Sequence, residues 1–389
     1  MQLIPRIAEF RDDLVAWRRD IHAHPELGFE ESRTSDLVAE KLTGFGVEVH
    51  RGVGKTGLVG VLKVGTSPRT IGLRADMDAL PIQEENAFAY RSQNDGRMYA
   101  CGHDGHTTML LGAARYLAET RGFDGTVHFI FQPAEEGLGG ADAMIKDGLF
   151  ARFPCDAVFG MHNRPHLAEG RFAIRSGPMM AGGGFFDIRI TGRGAHGARP
   201  EAGTDPVIVA CHIAAALQTI VSRNVAPLDT AVVSVTQIHA GEAYNVIPPH
   251  AVLRGTARAF ATETFDLIEN NMRRLAEGIA GGFGAVAEVD FRRGFLPLVN
   301  DAQETRFIAD VAAELVGSDA VNREGRLVMA SEDFSAMLAE CPGAYIQIGN
   351  GDRPGGCEVH NPGYDFNDAI LPLGASLFAR LVERRLARG

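Results

Sequence analysis

Short apolar runs separated by helical patterns restrict the fold of this chain more than any other feature. The runs have the composition of strands buried on both faces. Residues 106–120 repeat apolar side chains at three- and four-residue steps, as an amphipathic helix does, and so do residues 7–21 before His24 and Pro25. This alternation predicts an α/β fold with a mostly parallel sheet covered by helices. The predicted strands are 70–73, 127–131, 157–161 and 344–348.

A segment near the middle of the chain, residues 181–293, has a different order of elements. It predicts strand, helix, two strands, helix and strand, the split βαβ order of a ferredoxin-like α+β domain. The parallel-sheet pattern resumes after it, so we expect a discontinuous domain of residues 1–180 and 294–389 that carries the inserted domain. A chain of 389 residues also exceeds the usual size of one hydrophobic core. The elements are strands 185–191, 230–238, 252–260 and 285–291 and helices 205–223 and 263–280.

Charge, hydropathy and cysteine usage exclude several classes of partner. The formal net charge is −11 and no run of Lys or Arg occurs, which argues against nucleic acid and anionic membranes. No segment is expected to reach the length of a membrane span, and export is not expected, because no basic region followed by an apolar stretch and a cleavage site opens the sequence. Five scattered cysteines indicate reduced thiols and a cytoplasmic protein.

The C-terminal end of every predicted core strand carries residues that can bind a ligand or exchange a proton. Open α/β sheets bind ligands at this edge. A lone histidine is more often packed or solvated, but several contributions together indicate a metal centre. They are Asp76 and Asp78 after 70–73, Glu135 and Glu136 after 127–131, His162 after 157–161, His360 in the loop after 344–348, and Cys101 and His103 before the helix 106–120.

Thiolate, imidazole and carboxylate are ligands of borderline divalent ions, so Zn²⁺, Mn²⁺, Co²⁺ and Ni²⁺ all remain possible. Five candidate ligands exceed the three that one tetrahedral catalytic ion takes, and they suit two ions that share a bridge. The alternative for Cys101 is a buried structural thiol, which its polar, glycine-flanked loop disfavours. The candidate ligands are Cys101, His103, Glu136, His162 and His360.

The adjacent glutamates Glu135 and Glu136 suggest a division of roles. Neighbouring residues in an extended segment point in opposite directions, so one carboxylate can face a metal while the other faces a water molecule. A carboxylate beside an acidified water acts as a general base. On the seven residues 131–137 alone, a solvated turn is the simpler interpretation, because Pro133 and Gly137 are typical of loops.

Eight motifs together resemble one family of enzymes. The family is that of the metal-dependent amidohydrolases that include hippurate hydrolase and the indole-acetyl-amino-acid hydrolases, relatives of aminoacylase and carboxypeptidase G. The resemblance covers nearly the whole chain in order. The motifs are HPELGFEE, RADMDALPI, CGHDGH, FQPAEEG, GMHNRP, GRGAHGARPE, NVIPP and VHNPGYDFND.

This resemblance assigns roles to individual residues. It implies that the five candidate ligands bind two divalent metal ions, that Glu135 is the general base and that Asp78 is a supporting acid that orients a ligand. It implies that His196 reaches the active site of a neighbouring subunit and stabilises an oxyanion, so that the protein is a homodimer or a larger dimer-based oligomer. It also implies that Asn245 and Arg258 bind the carboxylate of the substrate.

Two acidic positions stay open at this point. Asp76 stands where other branches of the family have a metal-binding histidine, as it does in the hippurate hydrolase branch. Its role, and the ion that Cys101 serves, are therefore undecided. Glu332 is explained by a helix start, where acids meet the helix dipole favourably, although relatives place this segment near the metals.

The resemblance implies an enzyme that hydrolyses the amide bond of N-acyl amino acids, such as N-acetyl or N-benzoyl compounds, to a carboxylic acid and a free amino acid. A dipeptidase or carboxypeptidase is the first alternative and differs only on the acyl side. A non-catalytic metal- or peptide-binding protein is the second, and it would have no need of Glu135. The acyl group, the preferred amino acid and the metal remain open.

Overall fold

The structure is a computed structural model that describes residues 2–352 and 357–389. The chain forms two compact units. The first unit comprises the residues up to Met179, Val299–Arg326 and the residues from Asp333 onward. The second unit comprises Met180–Leu298 and Leu327–Glu332.

Helices and strands are numbered here in chain order. The helices are α1 (Pro5–Glu9), α2 (Arg11–Ala23), α3 (Ser32–Gly44), α4 (His103–Thr120), α5 (Gly140–Lys146), α6 (Leu149–Arg152), α7 (Pro206–Thr219), α8 (Thr262–Gly282), α9 (Ala302–Val316), α10 (Phe334–Glu340) and α11 (Leu371–Arg385). The strands are β1 (Glu48–Arg51), β2 (Leu58–Val64), β3 (Thr70–Asp76), β4 (Gly125–Gln132), β5 (Val158–Pro165), β6 (Phe172–Ala173), β7 (Gly177–Met180), β8 (Gly182–Thr191), β9 (Ala195–His196), β10 (Ala231–Ala240), β11 (Val246–Ile247), β12 (His250–Ala259), β13 (Val286–Arg293), β14 (Leu298–Asn300), β15 (Val321–Asn322) and β16 (Gly343–Gly351).

The first unit is built on an eight-stranded sheet in the order β1-β2-β4-β3-β5-β16-β6-β15. Its four central strands, β4, β3, β5 and β16, are parallel, while β1 and β2 are antiparallel additions at one side. All nine residues of β16 are buried, as expected of a central parallel strand. The predicted α/β class is confirmed, and each predicted core strand lies within a strand of the structure apart from a residue at an end.

The second unit contains the predicted ferredoxin-like arrangement. Its antiparallel sheet has the order β10-β12-β8-β13 and pairs with helices α7 and α8 in one hydrophobic core. This is the split βαβ order, because β8, the first of the four strands of this sheet in the sequence, lies between the third, β12, and the fourth, β13. The alternating buried and exposed positions of β12 and β13 show why periodicity predicted these strands.

Two helical predictions differ from the structure. The single helix predicted over 7–21 is two helices, α1 and α2, which meet at Phe10, where ψ is −2° and the side chain is 1% exposed. The expectation that no segment reaches the length of a membrane span is wrong. Helix α7 continues through a π-helical turn, and Pro206–Asn224 is apolar and long enough by length and composition, although one face packs in the core of the second unit.

A buried ionic cluster joins α2 to the start of α4 and to the segment before α11. The guanidinium of Arg18, which is fully buried, lies 3.4 Å from Asp104, 3.0 Å from Asp365 and 2.7 Å from Asp368. His22 lies between Asp104, at 2.8 Å, and Glu84, at 3.2 Å. Burial alone would lower the pKa of His22, but the hydrogen bonds to Asp104 and Glu84 raise it to about 9.

His22 should therefore make folding stability depend on pH. Its folded pKa of about 9 exceeds the unfolded value of 6.5, so its contribution is complete below pH 6.5 and is lost as the pH rises through 9. A shift of this size corresponds to about 3 kcal/mol. We expect the free energy of unfolding, from denaturant titrations, to fall by this order between pH 6.5 and pH 9 relative to His22→Gln. The matched control is His24→Gln, at a half-exposed position one residue beyond the same helix. Its free energy of unfolding should depend on pH as that of the wild type does. If the free energies of wild type and His22→Gln change in parallel with pH, the assignment is wrong.

Candidate metal centre

The carboxyl edge of the central sheet gathers all five candidate ligands into one cluster. Strand β5 carries His162 near its end, and the turns after β4 and β16 carry Glu136 and His360. His103 is the first residue of α4, and Cys101 lies two residues before it. The parallel direction of the strands explains this, since their carboxyl ends meet at one edge.

The loop that carries Cys101 and His103 depends on a glycine. Gly102 has a φ of 92°, a left-handed conformation that other residues rarely adopt. A Cβ atom at this position would also lie 2.3 Å from Oδ1 of Asn163. Both constraints require glycine, and together they present the two flanking side chains to the cluster.

The ligand atoms form two triads that share Cys101. One consists of Cys101, His103 and His162, the other of Cys101, Glu136 and His360, and within each triad all ligand atoms lie within 4.8 Å of one another. Sγ of Cys101 is 3.3 Å from Nε2 of His162, and Nε2 of His360 is 3.3 Å from Oε1 of Glu136. Ligands of one tetrahedral ion, at about 2.0–2.3 Å from it, lie roughly 3.5 Å apart, so the spacing fits.

His103 shows most directly that the cluster suits a cation. Its Nδ1 lies 2.9 Å from the carbonyl oxygen and 3.2 Å from Oδ1 of Asp78, so this nitrogen carries the proton and donates it. Its Nε2 is buried and has no hydrogen-bond partner among the described residues. The other carboxylate oxygen of Asp78, Oδ2, accepts a hydrogen bond from the backbone N–H of Glu136 at 2.9 Å. Asp78 thus orients two candidate ligands at once, as supporting carboxylates in metal sites do.

The electrostatics of the cluster also favour a cation. Burial raises the pKa of the Cys101 thiol, and the nearby Glu136 and Glu135 carboxylates raise it further. Burial would lower the pKa of His103, but the charge of Asp76 and the hydrogen bond to Asp78 raise it to about 10. Burial and the nearby carboxylates therefore hold a proton on Cys101, the carboxylates hold one on His103, and a divalent ion would replace these protons.

The glutamate pair differs from the expected local geometry. Residues 135–137 form a turn, closed by a 2.6 Å hydrogen bond from the N–H of Gly137 to the carbonyl of Glu135, so the expectation of an extended segment is wrong. The turn is not solvated, since Glu135 is only 6% exposed. Oε2 of Glu135 lies 4.0 Å from Nε2 of His103, and both carboxylates share a cluster with that histidine. The curvature of the turn brings the two acids to the same site.

Three predicted site residues lie in the second unit. His196 on β9 pairs with Val246 on β11, and the N–H of Gly197 donates to the carbonyl of Asn245 at 2.7 Å, so His196 and Asn245 are neighbours. Nδ1 of His196 accepts the N–H of Ala198 at 3.0 Å, which makes Nε2 the protonated nitrogen of a neutral ring.

Arg258 lies on β12 and has no carboxylate within ion-pair distance among the described residues. Its guanidinium donates to the carbonyl of Ala257 at 2.9 Å, and burial lowers its pKa. A half-buried arginine without an anionic partner is a candidate for binding an anion. Glu332, whose role the sequence left open, falls in the short segment Leu327–Glu332 of the same unit.

Sequence reasoning missed the residues that surround Asp76. The fully buried Arg74 donates to Asp76 at 2.7 Å, to Gln132 at 2.8 Å and to Asp333 at 3.3 Å. A signal existed, because an arginine inside an otherwise apolar strand requires buried partners. Asn163, which follows His162, also lies directly behind the loop of Gly102.

Several known proteins are similar to this chain in sequence and in structure. The family model described as peptidase family M20/M25/M40 matches residues 72–384. Hippurate hydrolase of Campylobacter jejuni is 44% identical over 99% of this chain and 100% of its own length. N-acetylcysteine deacetylase of Bacillus subtilis is 38% identical over 96% of each chain. A Bacillus subtilis protein described as a dinuclear metal binding peptidase of the M20 family superposes with a TM-score of 0.85, at 34% identity, over 97% of this chain and 99% of its own.

Metal loading should release protons from the cluster. Near neutral pH the metal-free protein holds a proton on the Cys101 thiol and an extra proton on His103, and both must leave when an ion binds. We expect calorimetric titrations with Zn²⁺ in buffers of different ionisation enthalpy to show about one proton fewer per chain for Cys101→Ala than for wild type. Cys211→Ala, at an exposed position on α7, is the control and should release as many protons as wild type. Equal release by Cys101→Ala and wild type would exclude Cys101 as a ligand.

Proposed function

The chain belongs to peptidase family M20/M25/M40, and on this basis we propose that it is a metal-dependent amidohydrolase of N-acyl amino acids. It cleaves the amide bond to release a carboxylic acid and a free amino acid. The observation that carries the proposal is the pair Glu135 and Glu136, a buried and a partly buried acid beside histidine and cysteine ligand atoms. The relatives named hippurate hydrolase and N-acetylcysteine deacetylase support it, since both names describe acylated amino acids as substrates.

We propose two divalent ions, drawn from Zn²⁺, Mn²⁺, Co²⁺ and Ni²⁺. Cys101, His103 and His162 would hold one ion, and Cys101, Glu136 and His360 would hold the other. When bound, the ions polarise the amide carbonyl and make a water molecule acidic enough to lose a proton near neutral pH. Asp78 accepts a hydrogen bond from Nδ1–H of His103, which would leave Nε2 of this histidine available to an ion.

Glu135 is the proposed general base. Its carboxylate lies close to the ligand atom of His103 and is nearly inaccessible to bulk solvent, so it can take a proton from the attacking water and return it to the leaving amine. The dipeptidase or carboxypeptidase alternative would use the same groups on a peptide. A non-catalytic binding protein ranks last, because it would leave Glu135 without a role.

We further propose that the protein acts as a homodimer formed by its second units. Strand β10 is an edge strand of the sheet, with β12 as its one neighbour, and an unpaired edge is a template for a second copy. Apolar side chains lie exposed on β10 and on the adjacent helix α7, with Ile238 at 47% and Ile208 at 48%. Across such a boundary, Nε2–H of His196 would donate to the oxyanion in the partner's site, with Asn245 and Arg258 available for the substrate carboxylate.

A cytoplasmic location agrees with this proposal. Cys101, Cys155, Cys211 and Cys341 are thiols in the structure, and thiols persist in a reducing compartment. A thiolate ligand likewise needs protection from oxidation. The substrate is a small molecule, and the net charge of −11 gives no support to nucleic acid or an anionic membrane as a partner.

The roles of the two glutamates can be separated by charge-neutral substitution. Glu135→Gln should keep its metal but lose on the order of 10²-fold or more in turnover, because it removes acid–base help alone. Glu136→Gln should lose metal as well as activity. The measurements are elemental analysis and hydrolysis of N-acetyl, N-benzoyl and indole-acetyl amino acids after loading with each metal. A metal-free Glu135→Gln protein, or one with normal turnover, would refute the assignment.

Mixing two inactive variants tests whether His196 acts across the subunit boundary. In a hybrid of His196→Ala and Glu135→Ala chains, one site combines an intact metal cluster with an intact His196. Random exchange makes half of the dimers hybrids with one restored site of two, so about a quarter of wild-type activity should return. If mass spectrometry verifies exchange and activity stays at the level of the separate variants, His196 does not act in trans.

A further inference from the structure

A buried chain of hydrogen bonds runs behind the candidate ligands. Oδ1 of Asp76 lies 2.6 Å from Nδ1 of His106, Nε2 of His106 lies 2.7 Å from the side-chain amide of Asn163, and this amide lies 2.5 Å from the hydroxyl of Tyr364. All four residues are at most 2% exposed. None of them belongs to the proposed ligand set. We call these four residues the support chain.

The support chain connects every segment that carries a candidate ligand or its supporting acid at the sheet edge, apart from the turn after β4. Each member is close in sequence to one of those residues, although the members come from four separate segments. Asp76 ends β3 two residues before Asp78, His106 follows His103 on α4, Asn163 follows His162 on β5, and Tyr364 lies four residues after His360. A displacement of one segment would therefore be transmitted to the others through hydrogen bonds of fixed direction.

The ring of His106 has partners on both sides. Asp76 also accepts from Arg74, so its carboxylate is anionic and Nδ1 of His106 must donate to it. On the other side of the ring, the side-chain oxygen and the backbone N–H of Asn163 both lie against Nε2 of His106, at 2.7 Å and 3.1 Å. The amide nitrogen of Asn163 donates to the hydroxyl of Tyr364.

His106 is thereby excluded as a metal ligand, although it lies near His103 and Asp76. The ligand atoms of these three residues lie within 4.8 Å of one another, which by itself would allow a cation site. Both ring nitrogens of His106 are already used, one by Asp76 and one by Asn163. Nε2 of His103, in contrast, has no hydrogen-bond partner among the residues that the structure describes.

The support chain also packs against the loop between Cys101 and His103. A Cβ atom on Gly102 would lie 2.3 Å from the side-chain oxygen site of Asn163 and 3.0 Å from the hydroxyl of Tyr364. These two side chains therefore occupy the space directly behind the loop. The loop cannot retreat from an ion without displacing them.

We infer that His106, Asn163 and Tyr364 are positioning residues that set the coordination geometry of the metal centre, with Asp76 as their anionic anchor. This inference rests on the proposed metal centre. Both carboxylate oxygens of Asp76 already have partners, Arg74 on one and His106 on the other, so this acid holds the end of β3 through hydrogen bonds.

The experiment compares Tyr364→Phe and His106→Gln with wild type and with a matched control, His128→Gln. His128 is a buried histidine on β4 that contacts Cys155 and no member of the support chain. Three quantities are measured: the number of Co²⁺ ions bound at saturation, the dissociation constant by chelator competition, and the visible spectrum of the Co²⁺ protein. The melting temperature of the metal-free protein reports on stability alone.

We expect both variants to bind as many ions as wild type, with affinity lowered about 10- to 100-fold and with shifted Co²⁺ bands. His128→Gln should lower the melting temperature without changing the spectrum or the affinity. The double variant Tyr364→Phe/His106→Gln should bind little more weakly than His106→Gln, because the residues act through one chain of bonds.

Two results would overturn the inference. If His106→Gln binds one ion fewer at saturation, His106 is a ligand. If affinity and spectrum match those of wild type while the melting temperature falls, the support chain contributes only to stability. A wild-type protein that binds no divalent ion would instead refute the proposed metal centre, so the two failures are distinguishable.

Discussion

The crowding of carboxylates at the carboxyl edge of the central sheet is the constraint on which the rest of the site depends. Asp76, Asp78, Glu135 and Glu136 lie in one small region, and one buried arginine, Arg74, is shared between Asp76 and Asp333. Buried acids at such distances repel unless cations or hydrogen-bond donors compensate them. The backbone N–H of Glu136, the proton on Nδ1 of His103 and the ring of His106 all serve this purpose. The remaining compensation is the role that divalent ions would take.

Much of this arrangement is encoded locally and was predictable. Apolar runs reveal parallel strands without tertiary information, and strand direction then determines that their C-terminal residues meet. The helix–strand order of the inserted domain defined its sheet, including the central place of β8. The direction of the strands also explains why the five candidate ligands cluster, because each lies near an element that periodicity indicates. These ligands are Cys101, His103, Glu136, His162 and His360.

Features that depend on contacts between distant segments were not predictable in the same way. The break at Phe10 leaves no periodic signal, because it changes the backbone at a single residue. A turn was one interpretation of residues 131–137, but the burial of Glu135 depends on the rest of the fold. The amide of Asn163 acquires its role from Tyr364, 201 residues further along the chain. The resemblance to known amidohydrolases supplied what periodicity could not, namely roles for His196, Asn245 and Arg258. Those roles concern a neighbouring subunit and a substrate, and they remain predictions.

The inserted unit has a consequence for biosynthesis. Strand β16 lies beside β5 in the centre of the sheet, and about 185 residues separate the register partners Val158 and Gly343. At a ribosomal rate of ~5–20 residues per second, β5 waits roughly 10 to 40 seconds for its neighbour. During this interval an apolar strand edge is open, while the four-stranded sheet of the inserted unit, whose strands all lie within residues 182–293, can already form. An open apolar edge favours aggregation, so a chaperone that covers β5 at this stage would protect the nascent chain.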